Sequence, residues 1–476
     1  MKKWIVFATI LLVSMLLLEA SILSADAKYK HKHKHGKKKH MGLVYKDYKQ
    51  IHDDTTTVET FSNVLIDDPP ALLNFTLTKA QVALILYSPT HHWEDNNNYR
   101  GHHYAIELDG VDVAEHMIYG SGFQPNAHGA EVVYLGILDA GPHVVKGRFC
   151  NLDAGQRATL SERYLTVILF DGSAADFSYV RTAATPRTTN SDVLINDPNS
   201  TINLNLASQQ KALILYSVSG AHAGGVTYRG LGIAVQVDGV DSDEQFSNVP
   251  YYVNNNPAHA FIALLRTLGP GAHTLQGRYR RAQAADTARM DETQFAVLLF
   301  DTSLKTDSVE DDTTTITMSG ENFADDTPAL INRNLSEDCV LLAFYCWSMR
   351  EGGGITYFGA ESALNLDGSD YWVANRANPT GYYSFGFGGH LLIGASKGSH
   401  TVKGRFCQTH SAPTQDTAVC TQRTLMLLWF VGEAGTPPPE AFQHRIKKEE
   451  SKPFPPHDCS RLRVLHRTTR LIPWIA

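Results

Sequence analysis

The sequence predicts an all-β protein built from three tandem antiparallel β-sandwich domains of jelly-roll type. Three related versions of one ten-residue segment occur, at 140–149, 270–279 and 397–406. The tyrosines that end three apolar runs keep a step of 129 positions along the chain: Tyr87, Tyr216 and Tyr345. Short apolar runs alternate with turn residues, and no long stretch has helical periodicity. A period shared by several landmarks indicates tandem copies of one domain, each long enough to bury its own core.

The 476 residues divide into a repeated body and two basic ends. The predicted segments are a signal peptide at 1–27, a Lys/His-rich disordered arm at 28–50, β-sandwich repeats at 51–180, 181–306 and 307–434, and a Pro-rich basic tail at 435–476. The composition, 43% hydrophobic and 19% charged, is that of a globular protein. The net charge of −7 conceals an acidic body with 25 basic and 43 acidic residues. Such a chain presents its cationic ends to anionic partners.

The N-terminus has the pattern of a secretory signal. Lys2 and Lys3 precede an apolar run over 4–18, and a small-x-small cleavage site follows at 25–27. An uncleaved membrane anchor is the alternative, but Glu19 ends the apolar run short of the ~20 residues that a span needs. We therefore expect a secreted, extracellular protein with no membrane attachment after signal cleavage.

Each repeat is predicted to contain the same succession of strands. In the first repeat, 82–87 is an unbroken apolar run, which is typical of a strand covered on both faces. The alternating run at 104–108 meets Asp109 and Gly110, a pair that favours a two-residue hairpin turn because both residues adopt positive φ easily. The apolar run at 165–170 closes the repeat. We expect the apolar strands of each copy to lie in the middle of the two sheets.

This succession resembles the jelly-roll modules of the TNF/C1q-like kind, which occur in secreted and fibre proteins. The resemblance rests on the apolar strand, the Asp-Gly hairpin, the turn into a cationic strand at 141–149, and the final apolar strand. It implies binding or structural work and carries no catalytic residues. Because such modules commonly assemble as trimers, it also implies self-association or an intramolecular pseudo-trimer. No Cys…Trp…Cys spacing recurs, which favours a jelly roll over an immunoglobulin sandwich.

The arm that follows the leader is the strongest functional signal in the sequence. Its residues 28–40 combine seven lysines and four histidines with no acidic residue, so they predict capture of a polyanionic surface, mineral or acidic glycan. In composition it resembles the Lys- and His-rich segments of silica-associated proteins. Zinc or copper binding by the arm histidines and a merely solubilising tail are the alternatives. The predicted polyanion-binding residues are Lys28, Lys30, His31, Lys32, His33, Lys34, His35, Lys37, Lys38, Lys39 and His40.

Metal binding is a second, weaker possibility in the body. Four histidines of repeat 1 could ligate zinc, although a solvated polar loop is the favoured explanation: His91, His92, His102 and His103. Paired aspartates could supply oxygen ligands to calcium: Asp53, Asp54, Asp67, Asp68, Asp311, Asp312, Asp325 and Asp326. No cofactor is predicted, with zinc or calcium as the alternatives. The repeated turn histidines are expected to satisfy backbone groups: His143, His273 and His400.

Two covalent modifications are predicted. Asn74, Asn199 and Asn334 begin glycosylation sequons, which apply if the source glycosylates its secreted proteins. Cys407 and Cys420 are the best candidate disulfide, because they flank one polar loop on what we predict to be adjacent strands.

Taken together, these features predict a non-enzymatic structural protein of an extracellular matrix or biomineral. The nucleophile-elbow, zinc-protease and phosphate-loop motifs are absent from the sequence, and no nucleic-acid partner is expected. A lectin that binds carbohydrate through sandwich loops such as 93–104 is the main alternative. An extracellular enzyme with an unrecognised site is the other.

Overall fold

The computed structural model describes residues 42–431 except 92–99, 121–127, 153–156, 183–185, 223–228, 243, 250–257, 282–286, 319–321, 352–357, 379–384 and 409–417. The described residues form 29 strands and no helix. A helix able to cross a membrane is therefore not found among them. The predicted all-β class is confirmed. The arm at 28–40, the leader and the tail lie outside the described residues.

Repeat 1 comprises β1 (Val44–Asp53), β2 (Val58–Thr60), β3 (Ile66–Leu77), β4 (Gln81–His91), β5 (Arg100–Leu108), β6 (Val111–Gly120), β7 (His128–Gly129), β8 (Val132–Leu138), β9 (Gly141–Asn151) and β10 (Ala158–Asp171). Repeat 2 comprises β11 (Phe177–Thr182), β12 (Arg187–Thr189), β13 (Ile195–Leu206), β14 (Gln210–His222), β15 (Arg229–Val237), β16 (Val240–Asp241), β17 (Gln245–Val249), β18 (Ala258–Leu268), β19 (Gly271–Arg281) and β20 (Ala288–Asp301). Repeat 3 comprises β21 (Lys305–Asp311), β22 (Ile316–Met318), β23 (Ala324–Leu335), β24 (Cys339–Glu351), β25 (Phe358–Leu366), β26 (Ser369–Asn378), β27 (Phe385–Ala395), β28 (Gly398–Gln408) and β29 (Ala418–Val431).

Each repeat is a jelly roll of two antiparallel sheets. In repeat 1 one sheet has the order β1-β10-β4-β8 and the other β3-β9-β5-β6. Among the eight main strands, the first sheet takes the first, eighth, third and sixth, and the second sheet takes the second, seventh, fourth and fifth. This interleaving is the double Greek key of the jelly roll. Repeats 2 and 3 repeat it, with β11-β20-β14-β18 and β21-β29-β24-β27 as the first sheets. We call the sheet that holds the last strand the inner sheet and the other the outer sheet.

The apolar runs are unbroken because the inner sheet is covered on both faces. Ile85 and Tyr87 of β4 point into the core of their own sandwich. Leu84 and Leu86 point the other way, into a second apolar cluster that all three repeats share. The period-2 geometry of a strand sends alternate residues to opposite faces, so only a continuous apolar run can fill both cores.

The shared cluster lies where the three inner sheets face one another. Phe170, Phe300 and Phe430 come from the last strand of each repeat and are at most 2% exposed. Their ring centroids lie 5.6, 5.8 and 6.0 Å apart in edge-on and tilted arrangements that aromatic pairs favour. One apolar cluster therefore joins the three sandwiches.

Buried polar contacts join the repeats in a closed ring. Between repeats 1 and 2, Gln294 accepts the Val133 N–H at 2.6 Å and donates to the Glu115 carbonyl at 2.7 Å. Between repeats 2 and 3, the Ser348 hydroxyl donates to the Gln245 side chain at 2.7 Å. Repeat 3 contacts repeat 1 in turn, through a histidine of β27 described below. Each repeat thus uses one surface toward the next and another toward the previous copy, as in a cyclic assembly.

The Asp-Gly hairpins form as predicted. Asp109 has φ 51° and Gly110 has φ 87°, the two positive values of a tight two-residue turn. The same pair of values recurs in the other repeats at Asp238, Gly239, Asp367 and Gly368.

Three features differ from the sequence prediction. The apolar strands β4 and β10 pair with each other in one inner sheet, and the expectation that they lie in the middle of two different sheets was wrong. Strand β1 begins at Val44, within the segment 28–50 predicted to be disordered, and it pairs with β10 along its whole length. Strand β11 crosses the predicted boundary at 180/181 and pairs with β20. In β1, Tyr45 and Tyr48 pack against the shared apolar cluster while Lys46 binds Asp171, a mixture that suits a partly buried edge strand.

Candidate functional site

The structure brings together only part of the predicted histidine site. His92 lies outside the described residues, as does the side chain of His91. His102 and His103 are consecutive on β5, so their side chains point to opposite faces of the outer sheet. His102 is buried beside Tyr104, with ring centroids 6.1 Å apart. The four-histidine zinc site predicted from the sequence is therefore not assembled by the described residues, and only His103 enters a group of possible ligands.

That group lies at the junction of repeats 1 and 2. The ligand atoms of His103 on β5, Glu115 on β6 and Glu292 on β20 all lie within 4.8 Å of one another. The His103 Nε2 atom is 3.1 Å from the Glu115 Oε2 atom. The second oxygen of Glu115, Oε1, lies 3.2 Å from the Arg181 guanidinium. We refer to His103, Glu115 and Glu292 as the junction cluster.

Burial strongly perturbs the ionisation of the junction cluster. Glu292 is 4% exposed, and its Oε2 atom has no hydrogen-bond partner among the described residues. Burial raises its pKa to about 7 against the opposing charge of His103. Burial by itself lowers the pKa of His103, but hydrogen bonds with Cys150 and Glu115 and the carboxylate charges raise it to about 9. The hydrogen bond from His103 lowers the pKa of Glu115. His103 therefore holds its proton more firmly, and Glu292 gives up its proton less readily, than the free side chains do.

A second buried set lies at the junction of repeats 3 and 1. The Glu131 carboxylate contacts His390 Nδ1 at 2.9 Å and accepts a hydrogen bond from the Ser88 hydroxyl. The other ring nitrogen, Nε2, contacts the Thr166 hydroxyl at 2.9 Å. Both His390 and Glu131 have fully buried side chains. A hydrolytic triad needs the serine and the carboxylate on opposite nitrogens of the ring. Here both are nearest Nδ1, since Ser88 lies 3.4 Å from that atom. This set is a sealed structural contact.

One aspartate of each pair proposed for calcium instead binds a buried arginine. In repeat 1, Arg163 lies 3.0 Å from Asp68 and 2.9 Å from Asp53, and it also donates to the Thr56 and Leu160 carbonyls. In repeat 3 the corresponding contacts are made by Arg423 with Asp326, Asp311, Thr314 and Cys420. The guanidinium already supplies the positive charge that calcium would bring.

Repeat 2 builds the same buried ion pair from a different strand. Thr293 occupies the place of Arg163 on the last strand. The guanidinium comes from Arg187 on the short strand β12, whose Nε atom lies 2.8 Å from Asp197. Each sandwich therefore has a buried positive charge at this point, although the strand that provides it differs.

The cationic stripe of the outer sheet is neutralised by neighbouring acids. Arg148 makes a two-oxygen contact with Asp112 at 2.9 and 2.7 Å, and Lys146 lies 2.9 Å from both Asp67 and Glu107. In repeat 3, Arg405 likewise binds aspartates on both sides. These side chains form cross-strand ion pairs.

The repeated turn histidines act within the turn, as the sequence analysis expected. His143 contacts the Asp109 carboxylate through Nδ1 and the Asp139 carbonyl through Nε2, both at 2.8 Å. Asp109 also accepts the Val144 backbone N–H at 2.8 Å. The same clasp recurs around His273 and His400.

The predicted disulfide is not formed in the structure. Cys407 lies on β28 and Cys420 on β29, which belong to different sheets, and both are buried thiols. The prediction assumed that the strands on either side of the polar loop pair with each other, but that connection passes from the outer to the inner sheet. The sequon residues Asn74, Asn199 and Asn334 are all exposed on strands at one edge of the outer sheets, and their glycosylation stays a prediction.

No protein-family model and no curated protein matches the chain. Solved structures match the chain at low similarity. A structure of PNGF-II has a TM-score of 0.25 at 8% identity and covers 75% of this chain and 99% of its own. A peptide-N(4)-(N-acetyl-β-D-glucosaminyl) asparagine amidase has the same score and identity and covers 55% and 97%. A triple jelly-roll turret protein of an archaeal virus has a TM-score of 0.17 at 10% identity and covers 83% and 91%. Likenesses this low carry no argument about activity. The resemblance to TNF/C1q-like modules stays a prediction.

Sequence reasoning found one member of the junction cluster and missed two. His103 attracts attention because histidines crowd that part of the sequence. Glu115 and Glu292 carry no local signal, and Glu292 belongs to another repeat. A comparison of the three copies does not single out Glu292 either, because the corresponding residue is Glu162 in repeat 1 and Gln422 in repeat 3.

Proposed function

We propose that this protein is a secreted, non-enzymatic scaffold that fastens to a polyanionic surface through its Lys/His arm. The β-sandwich body would act as a covalent pseudo-trimer, rigid and acidic. The arm, and secondarily the basic tail, would supply adhesion to silica, another mineral or a sulfated glycan. Secretion follows from the leader pattern in the sequence.

The observation that carries this proposal is that the body begins and ends, next to the basic segments, at neighbouring places. The Leu43 N–H donates to the Leu299 carbonyl at 2.8 Å, next to the shared apolar cluster. Tyr45 stacks on Phe430 with ring centroids 5.0 Å apart, and the described body ends at Val431. The described body thus begins and ends at the same end of the ring, which supports the proposal that the two basic segments bind one surface.

The pseudo-trimer part of the proposal is supported by the shared cluster and the ring of junctions. Residues of all three inner sheets contribute to the cluster, and buried side chains bond across each junction. A body held together in this way would resist bending when a force acts on its arm, as a scaffold requires. Because its own cations are paired with its own acids, the body leaves anion capture to the arm.

The non-enzymatic part is supported by the geometry at Ser88 and His390. This is a serine, histidine and carboxylate set that a catalytic search would choose, yet its members are buried and its serine and carboxylate crowd one ring nitrogen. A buried serine whose histidine has no carboxylate on the other ring nitrogen is not arranged to act as a nucleophile.

The test compares two full-length proteins on silica, calcium mineral and heparin beads. In one, all seven arm lysines are replaced by glutamine; in the other, residues 28–40 keep their composition in scrambled order. We expect the first protein to lose retention and the second to bind as the wild type does, because the interaction depends on charge. Retention should fall steeply as salt rises, since screening weakens exposed charge pairs beyond about 10 Å at 0.1 M.

Two results would contradict the proposal. Retention of the lysine-free protein on the same beads would exclude the arm as the adhesive segment. Binding of that protein to a neutral glycan array would favour the lectin, with the loops of the body as its site.

A further inference from the structure

We propose that the junction cluster is a binding site for a divalent transition-metal ion of the Zn²⁺ type, which would staple repeat 1 to repeat 2. The inference goes beyond the scaffold function and does not depend on what the arm binds. It rests on the placement of His103, Glu115 and Glu292 and on the state of their polar atoms.

The first step is an unpartnered carboxylate oxygen. Glu292 lies in the junction with 4% of its surface exposed, and its Oε2 atom has no hydrogen-bond partner among the described residues. A buried carboxylate oxygen without a partner is costly, and buried charges in folded proteins are paired or coordinate metals. The ligand atoms of His103 and Glu115 lie within 4.8 Å of the Glu292 ligand atom, so a small contraction of the three side chains would bring them to the spacing of about 3.4 Å that tetrahedral zinc ligands have.

The second step is a comparison with repeat 2. Glu244 occupies the position in repeat 2 that Glu115 occupies in repeat 1, and Arg280 occupies that of Cys150. There the Arg280 guanidinium lies 2.6 Å from the Glu244 carboxylate. In repeat 1 the corresponding place holds a histidine and a thiol, and the Arg181 guanidinium lies against the Oε1 atom of Glu115 at 3.2 Å. The Oε2 atom of Glu115 faces His103, so repeat 1 has two side chains that bind metals where repeat 2 has Arg280.

The third step concerns the kind of ion. One imidazole nitrogen and two carboxylate oxygens form a mixed set that suits Zn²⁺, with a fourth position open. Calcium and magnesium prefer oxygen ligands alone, so His103 argues against them. The Cys150 thiol is hydrogen-bonded to His103, where it orients the ring or completes the coordination. Arg181 holds the other oxygen of Glu115 and so fixes the carboxylate beside the site.

A bound ion would link two domains. His103 and Glu115 belong to neighbouring strands of the outer sheet of repeat 1, and Glu292 belongs to the inner sheet of repeat 2. An ion held by all three joins two sandwiches by ligand bonds, so binding would stabilise the ring and not only one domain.

The experiment titrates Zn²⁺ into metal-free full-length protein by calorimetry. The parent protein has its arm histidines replaced so that they do not compete for zinc: His31→Ala, His33→Ala, His35→Ala and His40→Ala. We expect one zinc per chain in this parent, together with a rise in the melting temperature. His103→Ala and Glu292→Gln should each weaken binding by about tenfold or more.

The matched control is Glu244→Gln, which changes the corresponding carboxylate of repeat 2. It should leave zinc affinity unchanged. Glu292→Gln is isosteric and removes a buried charge, so without metal its melting temperature should equal or exceed that of the parent. If Glu292→Gln fails to fold, Glu115→Gln replaces it in the same comparison. A parent that binds no zinc, or variants that bind zinc as tightly as the parent, would overturn the proposal.

Discussion

At the scale of single residues, the three repeats are held by buried charges whose partners are built in. Arg163 is fully buried against Asp68, which is also fully buried, and Tyr87 donates to the same carboxylate at 3.0 Å. Removing one partner of such a pair leaves the other charge unpaired, which costs more than the pair itself contributes.

We therefore predict that Arg163→Met lowers the free energy of unfolding by about 3–5 kcal/mol. The double change Arg163→Met with Asp68→Asn should recover much of that loss, because the fully buried charge is then gone and Asp53, the remaining partner, keeps the Thr55 and Thr56 N–H groups. Arg157→Gln is the control: its pair with Glu59 is partly exposed and should contribute under about 1 kcal/mol. Chemical denaturation measures all of these proteins, and a double variant less stable than Arg163→Met would refute the argument.

The turn clasp gives the fold a pH dependence of known sign. Burial lowers the pKa of His143, but its bonds to the Asp139 carbonyl and to Asp109 outweigh burial and raise it overall. Burial raises the pKa of Asp109, but bonds from Val144 and His143 lower it overall. The raised histidine pKa gives stability that is complete below its unfolded value of about 6.5 and is lost as pH rises through the folded value. The lowered aspartate pKa gives stability that is complete above about 3.9 and is lost as pH falls.

His143→Gln should consequently cost most between about pH 4 and pH 6.5 and least in alkaline solution. The expected difference is about 0.5–1 kcal/mol, because Asp109 is 44% exposed and water screens the pair. Denaturation of wild type and variant at mildly acidic and at alkaline pH provides the measurement. Asp109→Asn keeps a residue that tolerates positive φ and should lose the same pH-dependent part, and an equal cost at both pH values would count against the clasp.

At the scale of elements, the repeated segment contains a glycine that lets two strands approach each other closely. A β-carbon on Gly147 of β9 would lie 2.5 Å from the Tyr87 ring, so the ring packs on bare backbone. Gly277 meets Tyr216 in the same way, with a β-carbon 2.7 Å from the ring. The cationic strand and the tyrosine strand approach each other at this point in every sandwich.

Gly147→Ala should therefore destabilise the protein by about 1–3 kcal/mol through overpacking. Gly269→Ala is the control, since a β-carbon there meets no atom within 4 Å and its φ needs no glycine; it should be neutral or slightly stabilising. Thermal melts of the two variants decide the matter, and similar melting temperatures would disprove the close approach.

The elements also mark how far the sequence could predict this fold. The hairpin at Asp109 and the strand at 82–87 were predictable because their signals are local: turn chemistry and an apolar run. The strand β1 was not, since its charged residues look like the arm until its partner β10 is known. The disulfide prediction failed for the same reason, because nothing local reveals that Cys407 and Cys420 lie on strands of different sheets.

At the scale of the whole molecule, the decisive contacts are those between repeats. The His103 position could be suspected from the sequence, but Glu292 joins it only because β20 of repeat 2 packs against repeat 1. Likewise, the apolar face that Leu84 and Leu86 present away from their own sandwich has meaning only when two other inner sheets cover it. Such contacts depend on the packing of separate domains, which local periodicity does not encode.

The shared cluster predicts that the three sandwiches unfold as one unit. Phe300→Ala removes a ring that touches both Phe170 and Phe430, and truncation of a buried phenylalanine costs about 3–5 kcal/mol. Because these ring contacts join all three repeats, calorimetry of the wild type should give one unfolding transition. Phe300→Asp should split that transition and enlarge the particle in solution scattering. Leu275→Ala in the core of repeat 2 alone is the control, which should lower stability without enlarging the particle. Separate transitions and an extended scattering profile for the wild type would mean that the sandwiches are independent beads.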